Sequence, residues 1–380
     1  MKHKLLISLL SIFLLSSSSE KKTSVCYLFV GSYTEGIPSN GIYIYSFDTE
    51  TGKLKRLSTV GNITNPSFIT LSPNGRFLYA CTETKLPTKG SVSAFQFDSC
   101  SASLSFSNKV SSVGENPVYL TVDKTNKYLV NANYTEGNIS VFSINENGSI
   151  NPYTQSIQFN GHGSLAERQD KAHIHAAVFA PNNDYIYFPD LGADKIWFYK
   201  FNPNKAKPIV EDSAYSVAAV SGSGPRHFTF HPNGKFAYCI EELSGMVSAY
   251  VCKDGKLDSI QRIFSYSKTQ KSYGSSDIHI SPDGLFLYAS NRWEDENTIS
   301  IFSLNPVNGK LKLLGHQNCY GEHPRNFALD PTGQFLLVAN QVSNTVVVFK
   351  RNSKTGLLSK TKYVIKIPNP SCLQMRMYFK

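Results

Sequence analysis

The sequence lacks the markers of several large protein classes. No apolar run reaches the roughly 20 residues that a membrane-spanning helix needs, so a polytopic membrane protein is not indicated. The 7 cysteines are few for 380 residues and include no CxxC pair, which favours neither a disulfide scaffold nor a cysteine zinc site. The GxSxG elbow, the P-loop, the Rossmann fingerprint and the acidic EF-hand loop are also missing. The chemistries that depend on those motifs are therefore not expected.

The chain is basic, with 38 Lys and Arg against 28 Asp and Glu and a net charge of +10. A positive field favours anionic ligands or surfaces and says nothing about the fold. Because the sequence contains no long run of basic residues, we interpret the charge as a solvated surface and predict no nucleic-acid partner.

Residues 1–20 differ from the rest of the chain. Two lysines near the start, an apolar run over 5–15 and four serines over 16–19 follow one another. This order is typical of a secretory signal peptide. We therefore predict export to the periplasm or the extracellular space if the signal is used, and a cytoplasmic protein otherwise. The remaining residues, 21–380, are expected to form a single domain with no membrane span.

The rest of the chain repeats a unit of about fifty residues, a period typical of propeller blades. Each unit has an alternating strand, a turn and a second apolar strand, as in NPSFITLSPNGRFLYACTE from Asn65. A third strand and an outer fourth strand follow, joined by a short turn such as Asn308-Gly309. Equivalent units start at Asn65, Asn116, His173, Gly224, Ser275 and His323.

Two incomplete pieces at the chain ends complement each other. The piece that starts at Tyr27 lacks a first strand, and NPSCLQMRMYF from Asn369 is a first strand alone. Together they complete a seventh blade, and such closure removes open sheet edges. The sequence therefore predicts an all-β fold, a seven-bladed β-propeller with four-stranded antiparallel blades, closed by the N- and C-terminal strands in one blade. Cys26 and Cys372 both belong to that blade, and a contact between them is left open.

The blade pattern also identifies candidate site residues. The first strand of a blade lines the central channel and the second returns beside it, so the start of one and the end of the other meet at a common rim. Strand centres are uniformly apolar, whereas these rim positions differ between blades, as is typical of a ligand site. The first-strand positions hold Ser67, Val118, His175, Arg226, Ser276, Arg325 and Ser371, and the second-strand positions hold Tyr33, Glu83, Tyr134, Leu191, Glu242, Arg292 and Gln341.

Four of these residues, His175, Arg226, Glu242 and Arg292, are the predicted catalytic group. Arginine side chains suit a carboxylate or phosphate because a guanidinium binds such anions bidentately. Glu242 and His175 could transfer protons if burial and the arginines tune their pKa values. The alternative is that Arg226, Glu242 and Arg292 form a structural ion network between blades.

Four further rim residues, together with His173 two positions before His175, are predicted substrate contacts: Arg325, Glu83, Tyr134 and Gln341 are the four. Glu83 and Tyr134 could instead brace a loop. His173 and His175 share a strand face and so resemble metal ligands, but no third ligand accompanies them, and we predict no metal and no cofactor. Arg168, in an insertion over 161–169, could reach over the rim, although a solvated loop is the favoured interpretation. His227 is expected to pack on the strand face opposite Arg226.

Taken in order, the motifs resemble the seven-bladed β-propeller lactonase family. The resemblance covers Tyr27 to Tyr378 and rests on VGSYT, ANYTEGNISVF, HIHAAVF, DLGADKIWFY and GPRHFTFHPNGKFAY. It implies a metal-independent hydrolase that opens the ring ester of a sugar lactone such as 6-phosphogluconolactone. The partner so implied is a small anionic or sugar lactone. By motif, the His, two Arg and Glu proposed for cyclase relatives fall on His175, Arg226, Arg292 and Glu242.

Two other functions stay open at this point. One is an exported propeller that binds a carbohydrate without catalysis, since propellers host many unrelated activities. The other is a cyclase-type lactone isomerase that uses the same residues. Glu241 stands where the family usually has Asn, and its charge is expected to raise the pKa of Glu242. A signal peptide also fits poorly with a phosphorylated, cytoplasmic substrate.

Overall fold

The computed structural model describes residues 24–37, 39–84, 89–293 and 295–379, so the predicted signal segment at 1–20 lies outside the described residues. All regular structure in the described part is β strand, arranged as seven four-stranded antiparallel sheets. The predicted seven-bladed β-propeller is confirmed. No helix in the described ranges is long and apolar enough to cross a membrane.

The strands follow the repeat blade by blade. The first half of the chain contains β1 (Ser24–Ser32), β2 (Ile42–Phe47), β3 (Leu54–Val60), β4 (Ile69–Leu71), β5 (Phe77–Thr82), β6 (Lys89–Asp98), β7 (Ser103–Glu115), β8 (Pro117–Val122), β9 (Tyr128–Asn133), β10 (Asn138–Ile144), β11 (Ile150–Gln158), β12 (Val178–Phe179), β13 (Tyr185–Asp190), β14 (Lys195–Phe201) and β15 (Ile209–Ala218). The second half contains β16 (Pro225–Phe230), β17 (Phe236–Glu241), β18 (Met246–Lys253), β19 (Lys256–Phe264), β20 (Ile278–Ile280), β21 (Phe286–Asn291), β22 (Thr298–Leu304), β23 (Leu311–Asn318), β24 (Pro324–Leu329), β25 (Phe335–Asn340), β26 (Thr345–Arg351), β27 (Leu358–Lys366) and β28 (Pro370–Phe379).

The two ends of the chain share one blade, as predicted. Its strand order is β28-β1-β2-β3, with Tyr27 opposite Arg376 in the antiparallel pair of β1 and β28. Cys26 faces Met377 and Cys372 faces Gly31 along this pair, so the two cysteines do not meet. All 7 cysteines are free thiols.

Turns between third and fourth strands join each blade to its neighbour. Gly309, between β22 and β23, has a φ of 71°, and a Cβ added there would lie 2.3 Å from the ring of Phe236. The hydroxyl of Tyr238 donates to the Gly309 carbonyl at 2.8 Å. The same contact recurs where Tyr79, Tyr187 and Tyr288 donate to Gly148, Gly255 and Gly356. Glycine is therefore required here by the close approach of the next blade as well as by the turn.

Candidate active site

The inner strands start at one rim of the ring, and four of them, β8, β16, β24 and β28, contain a β-bulge near that start. In β16 the pairing register shifts between Pro225 and His227, so Arg226 is the extra residue of a bulge. A bulge breaks the alternation of side chains along a strand. Arg226 and His227 consequently line one cavity together with His175. The expectation that His227 packs on the opposite face is wrong for this reason.

A cluster of guanidiniums surrounds Glu242, which is 3% exposed. Its carboxylate accepts hydrogen bonds from Arg168 (Nη2 to Oε1, 2.7 Å), Arg226 (Nε to Oε2, 2.8 Å) and Arg292 (Nη2 to Oε2, 3.1 Å). Burial alone would raise the pKa of Glu242, but the three neighbouring guanidiniums lower that pKa to about 2. Glu242 is therefore a carboxylate across the physiological pH range, and both its oxygens are occupied.

Glu241 does not act on Glu242 as the sequence suggested. Neighbouring residues on a strand point to opposite faces, and Glu241 points away from the rim. Its carboxylate accepts hydrogen bonds from Arg262 Nη2 at 2.6 Å and from Ser248 Oγ at 2.5 Å. The expected rise in the pKa of Glu242 is wrong, because the charge beside Glu242 on its own face is that of three arginines.

Arg168 is a rim residue, although the sequence favoured a solvated loop for its segment. Its segment, 161–169, is held to the blade by Gln169, whose Nε2 donates to the Leu191 carbonyl and to Asp194, each at 2.8 Å. This anchor lets the Arg168 side chain reach Glu242 while remaining 34% exposed. The interpretation as a solvated loop is wrong for Arg168. The anomalous length of this repeat unit and the ERQ motif at 167–169 were the signals in the sequence that pointed to it.

The Arg226 guanidinium is oriented by fixed partners. Besides Glu242, its Nη1 contacts the Ser276 carbonyl at 2.6 Å and His227 Nε2 at 3.2 Å. His227 Nδ1 in turn bonds the buried carboxylate of Asp277 at 2.8 Å. Nη2 has no hydrogen-bond partner among the described residues. Burial and the Arg292 charge lower the pKa of Arg226 to about 9, so the group is still a cation at neutral pH.

His175 is buried at the mouth and is held by backbone rather than by its ring. Its N–H donates to the Pro189 carbonyl at 3.0 Å, and a bridge between Ile174 and Asp190 fixes the segment ahead of β12. Nδ1 of the ring is buried and has no hydrogen-bond partner in the described part of the chain. Burial and the charge of Arg226 lower the pKa of His175 well below its ordinary value of 6.5. The imidazole is therefore neutral at physiological pH.

The predicted substrate contacts Arg325 and Glu83 lie together across the mouth. The closest guanidinium-to-carboxylate distance between them is 3.8 Å, and the Tyr33 hydroxyl donates to Glu83 Oε2 at 2.7 Å. Tyr33 and Glu83 also line an open cavity of about 470 Å³ with Asn65. This cavity offers space for a ligand beside Glu83, which pairs with Arg325.

The remaining predicted substrate contacts are His173, Tyr134 and Gln341. The first two are engaged with neighbouring groups, whereas Gln341 has an oxygen that is unpaired within the described part of the chain. Both ring nitrogens of His173 are engaged, Nδ1 with the Tyr134 carbonyl and Nε2 with Asp170, each at 3.0 Å. The His173 and Tyr134 rings stack with centroids 4.5 Å apart, and Tyr134 also meets the edge of His175. The Gln341 side chain has a buried Oε1 without a hydrogen-bond partner among the described residues. His173 and Tyr134 thus brace the segment that carries His175.

A layer of side chains closes the channel just below the mouth. The rings of Phe68 and Tyr119 stack at 4.2 Å, and Tyr119 meets His227 at 5.3 Å. Asp277 completes the layer by accepting a hydrogen bond from Asn326 at 2.5 Å. The cavity that this layer shares with His175, Arg226 and Arg325 holds only about 10 Å³ of free space, which is too little for a ligand, so a ligand has to bind above it.

The rim carries a net positive charge and no metal-binding cluster. Four guanidiniums, those of Arg168, Arg226, Arg292 and Arg325, stand against the two carboxylates of Glu83 and Glu242. Within the described ranges, no three His, Cys, Asp or Glu side chains are grouped so as to hold a metal ion. The arrangement can bind an anion or a developing oxyanion and can accept a proton at His175.

Comparison with known proteins agrees with this architecture. The sequence model of the family described as "Lactonase, 7-bladed beta-propeller" matches residues 27–375. The chain is 47% identical over 351 residues to the 6-phosphogluconolactonase of Formosa agariphila. The aligned region covers 92% of this chain and 99% of that protein. The chain is 35% identical over 350 residues to the 6-phosphogluconolactonase of Bacillus subtilis, at 91% and 97% coverage.

Solved structures show the same likeness. The periplasmic gluconolactonase of Pseudomonas aeruginosa superposes with a TM-score of 0.85 at 33% identity, covering 93% of this chain and 99% of that one. The matches span nearly the whole ring rather than isolated blades. The chain therefore belongs to the seven-bladed β-propeller lactonase family.

Proposed function

We propose that the protein hydrolyses the ring ester of a sugar lactone at the rim built by His175, Arg226, Glu242 and Arg292. Membership of the lactonase family and the names of its relatives, 6-phosphogluconolactonase and periplasmic gluconolactonase, support this activity. One observation carries the assignment of roles. Among the described rim residues, the His175 ring is neutral and unpaired at Nδ1, and the adjacent Arg226 keeps a free Nη2.

The proposed reaction needs a base, an oxyanion site and a proton for the leaving group. His175 accepts a proton from water as the water oxygen attacks the lactone carbonyl carbon. Arg226 stabilises the tetrahedral oxyanion, with Arg325 as a further anion contact. The C–O bond of the ring then breaks, and the protonated His175 returns its proton to the leaving alkoxide. The product is the open-chain hydroxy acid, and no other reactant is consumed.

Glu242 acts in this scheme as the counter-charge that orients the arginines. Both oxygens of the Glu242 carboxylate already accept hydrogen bonds from guanidiniums, whereas Nδ1 of His175 has no partner among the described residues. We therefore assign the base role to His175 rather than to Glu242. The net positive rim favours an anionic lactone or the carboxylate product.

Acid release from two lactones tests the proposed activity. The protein is incubated with 6-phosphogluconolactone and with glucono-1,5-lactone, in the presence of EDTA, and acid release is followed at constant pH. We expect release well above the spontaneous rate, unaffected by EDTA, with at least one of the two. Rates equal to the spontaneous rate for both lactones would contradict the proposal, and binding without turnover would favour the carbohydrate-binding alternative.

We also propose that the protein is exported, which would favour a substrate found outside the cytoplasm. The proposal rests on the signal-like order of residues 1–20 and is in keeping with the name of the Pseudomonas relative. When the gene is expressed with and without residues 2–20, we expect the full chain to be recovered outside the cytoplasm in a shortened form. Recovery of both forms in the cytoplasm at full length would contradict export.

A further inference from the structure

An aromatic residue without an assigned role stands beside the arginine cluster. Trp293 directly follows Arg292, and its ring lies against two guanidiniums, with centroid distances of 5.8 Å to Arg168 and 5.9 Å to Arg292. Both of those arginines bind Glu242. The indole therefore belongs to the rim rather than to the packing between blades.

The Trp293 side chain is held in place but left open. A Cβ added to Gly274 would lie 2.8 Å from the indole, so this backbone covers part of the ring. The Gly274 carbonyl also accepts a hydrogen bond from Arg292 Nε at 2.8 Å. The backbone that packs on Trp293 is therefore also bonded to the neighbouring arginine. The residue remains 38% exposed, and its indole N–H donates to no described residue.

The backbone of Trp293 is strained in a way that packing does not explain. Its φ of 84° lies in the region that glycine adopts freely and bulky residues avoid. Strained residues of this kind concentrate at ligand sites, where the side chain has a use that offsets the strain. A partly exposed tryptophan gains little from burial here, so a ligand contact is the use that the position suggests.

We propose that Trp293 forms the wall of the substrate site and stacks on the C–H face of the sugar ring of the lactone. The inference rests on the proposed lactonase function and names the residue that recognises the sugar. Aromatic faces are electron-rich and attract the weakly positive C–H groups on one side of a pyranose ring. With the sugar on the indole, its polar edge lies next to Arg168, the most exposed guanidinium of the cluster.

Tryptophan fluorescence tests this contact directly, because the chain contains only 2 tryptophans. Trp197→Phe leaves Trp293 as the sole indole, and its kinetic constants are first compared with those of the wild type. Titration of this variant with sodium gluconate, a stable product analogue, should give a saturable change in emission that sodium chloride at equal ionic strength does not give. A flat titration would overturn the proposal.

The kinetic constants of the Trp293→Gly variant provide a second test of the contact between Trp293 and the sugar. Glycine suits the φ of 84°, so this variant should melt at no lower temperature than the wild type. We expect its KM for glucono-1,5-lactone to rise roughly tenfold with kcat within about twofold, and Trp293→Phe to recover most of that loss. Tyr215→Ala, which removes an exposed ring on an outer strand, serves as the control without effect.

The outcomes separate the two proposals. An unchanged KM in a folded Trp293→Gly variant would overturn the role of Trp293 while leaving the lactonase function intact. If the wild type turns over neither lactone, the proposed function fails. In that case a saturable gluconate response still supports the sugar-binding wall, and its absence overturns it.

Discussion

Replacing His175 with Phe is expected to lower kcat by roughly 10²- to 10⁴-fold, the usual contribution of a positioned general base. Phe keeps the ring contacts with Tyr134 and His227, whose centroids lie 5.2 Å and 5.3 Å away. It also replaces a buried Nδ1 that has no hydrogen-bond partner in the described structure. The free energy of unfolding should therefore stay within about 1 kcal/mol of the wild type. Initial rates of acid release and a urea titration measure the two quantities.

His173→Phe is the matched control for that substitution. It changes the same residue type two positions away and keeps the stack on Tyr134, but it removes two hydrogen bonds of 3.0 Å. We expect this variant to lose roughly 1–3 kcal/mol of stability and far less of its kcat than His175→Phe. Equal losses of kcat in both variants would show that His175 acts through the fold and not as the base.

The pH profile supplies an independent check on the base. A general base must be neutral to work, and the pKa of His175 lies well below 6.5 because of burial and the charge of Arg226. As the pH falls, kcat/KM of the wild type should stay level through 6.5 and decline only in more acidic solution. In His175→Phe this decline should disappear from the residual rate. A wild-type decline centred at or above 6.5 would contradict the assignment.

Replacing Glu242 with Gln is expected to cost roughly 3–5 kcal/mol of stability, because the buried guanidiniums of Arg226 and Arg292 and the partly exposed one of Arg168 lose their shared counter-charge. Activity should fall by about 10² or more, since the donors that face the oxyanion are no longer held in place. The neighbouring substitution Glu241→Gln provides the control. Glu241 is equally buried and is paired with Arg262, but it points away from the rim. We expect the Glu241→Gln variant to be less stable than the wild type and to keep its kcat per folded molecule.

The pH dependence of the unfolding free energy tests whether the ionised Glu242 carboxylate stabilises the native state. The folded-state pKa of Glu242 is about 2, against an ordinary value of 4.5, so its carboxylate favours the native state when ionised. The difference in unfolding free energy between wild type and Glu242→Gln should be constant above about pH 4.5 and shrink as the pH falls toward 2. Urea titrations at several pH values measure it. A difference independent of pH across that range would contradict the ion cluster.

Much of the architecture could be predicted because the same strand and turn pattern occurs in six units, so an uncertain assignment in one unit is supported by the others. A single segment such as NPSFITLSPNGRFLYACTE is a weak indication, whereas six occurrences at one period fix the strand order, the number of blades and the closing blade. The rim also follows from topology, since every inner strand starts at the same end of the ring. The repeat positions alone therefore predict that Arg226, Glu242 and Arg292 lie at the same rim.

The sequence by itself determined the ring and the positions that face its mouth, because both depend on periodic patterning. Only the tertiary structure decided what those side chains do to one another. The bulge at Arg226 turned His227 into the cavity, and the anchored loop brought Arg168 onto Glu242. Their contacts leave Nδ1 of His175 without a partner among the described residues and surround Glu242 with guanidiniums, and the proposed roles of base and counter-charge rest on these contacts. Protonation depends on distances of a few ångströms between residues far apart in the chain, and no local pattern records those distances.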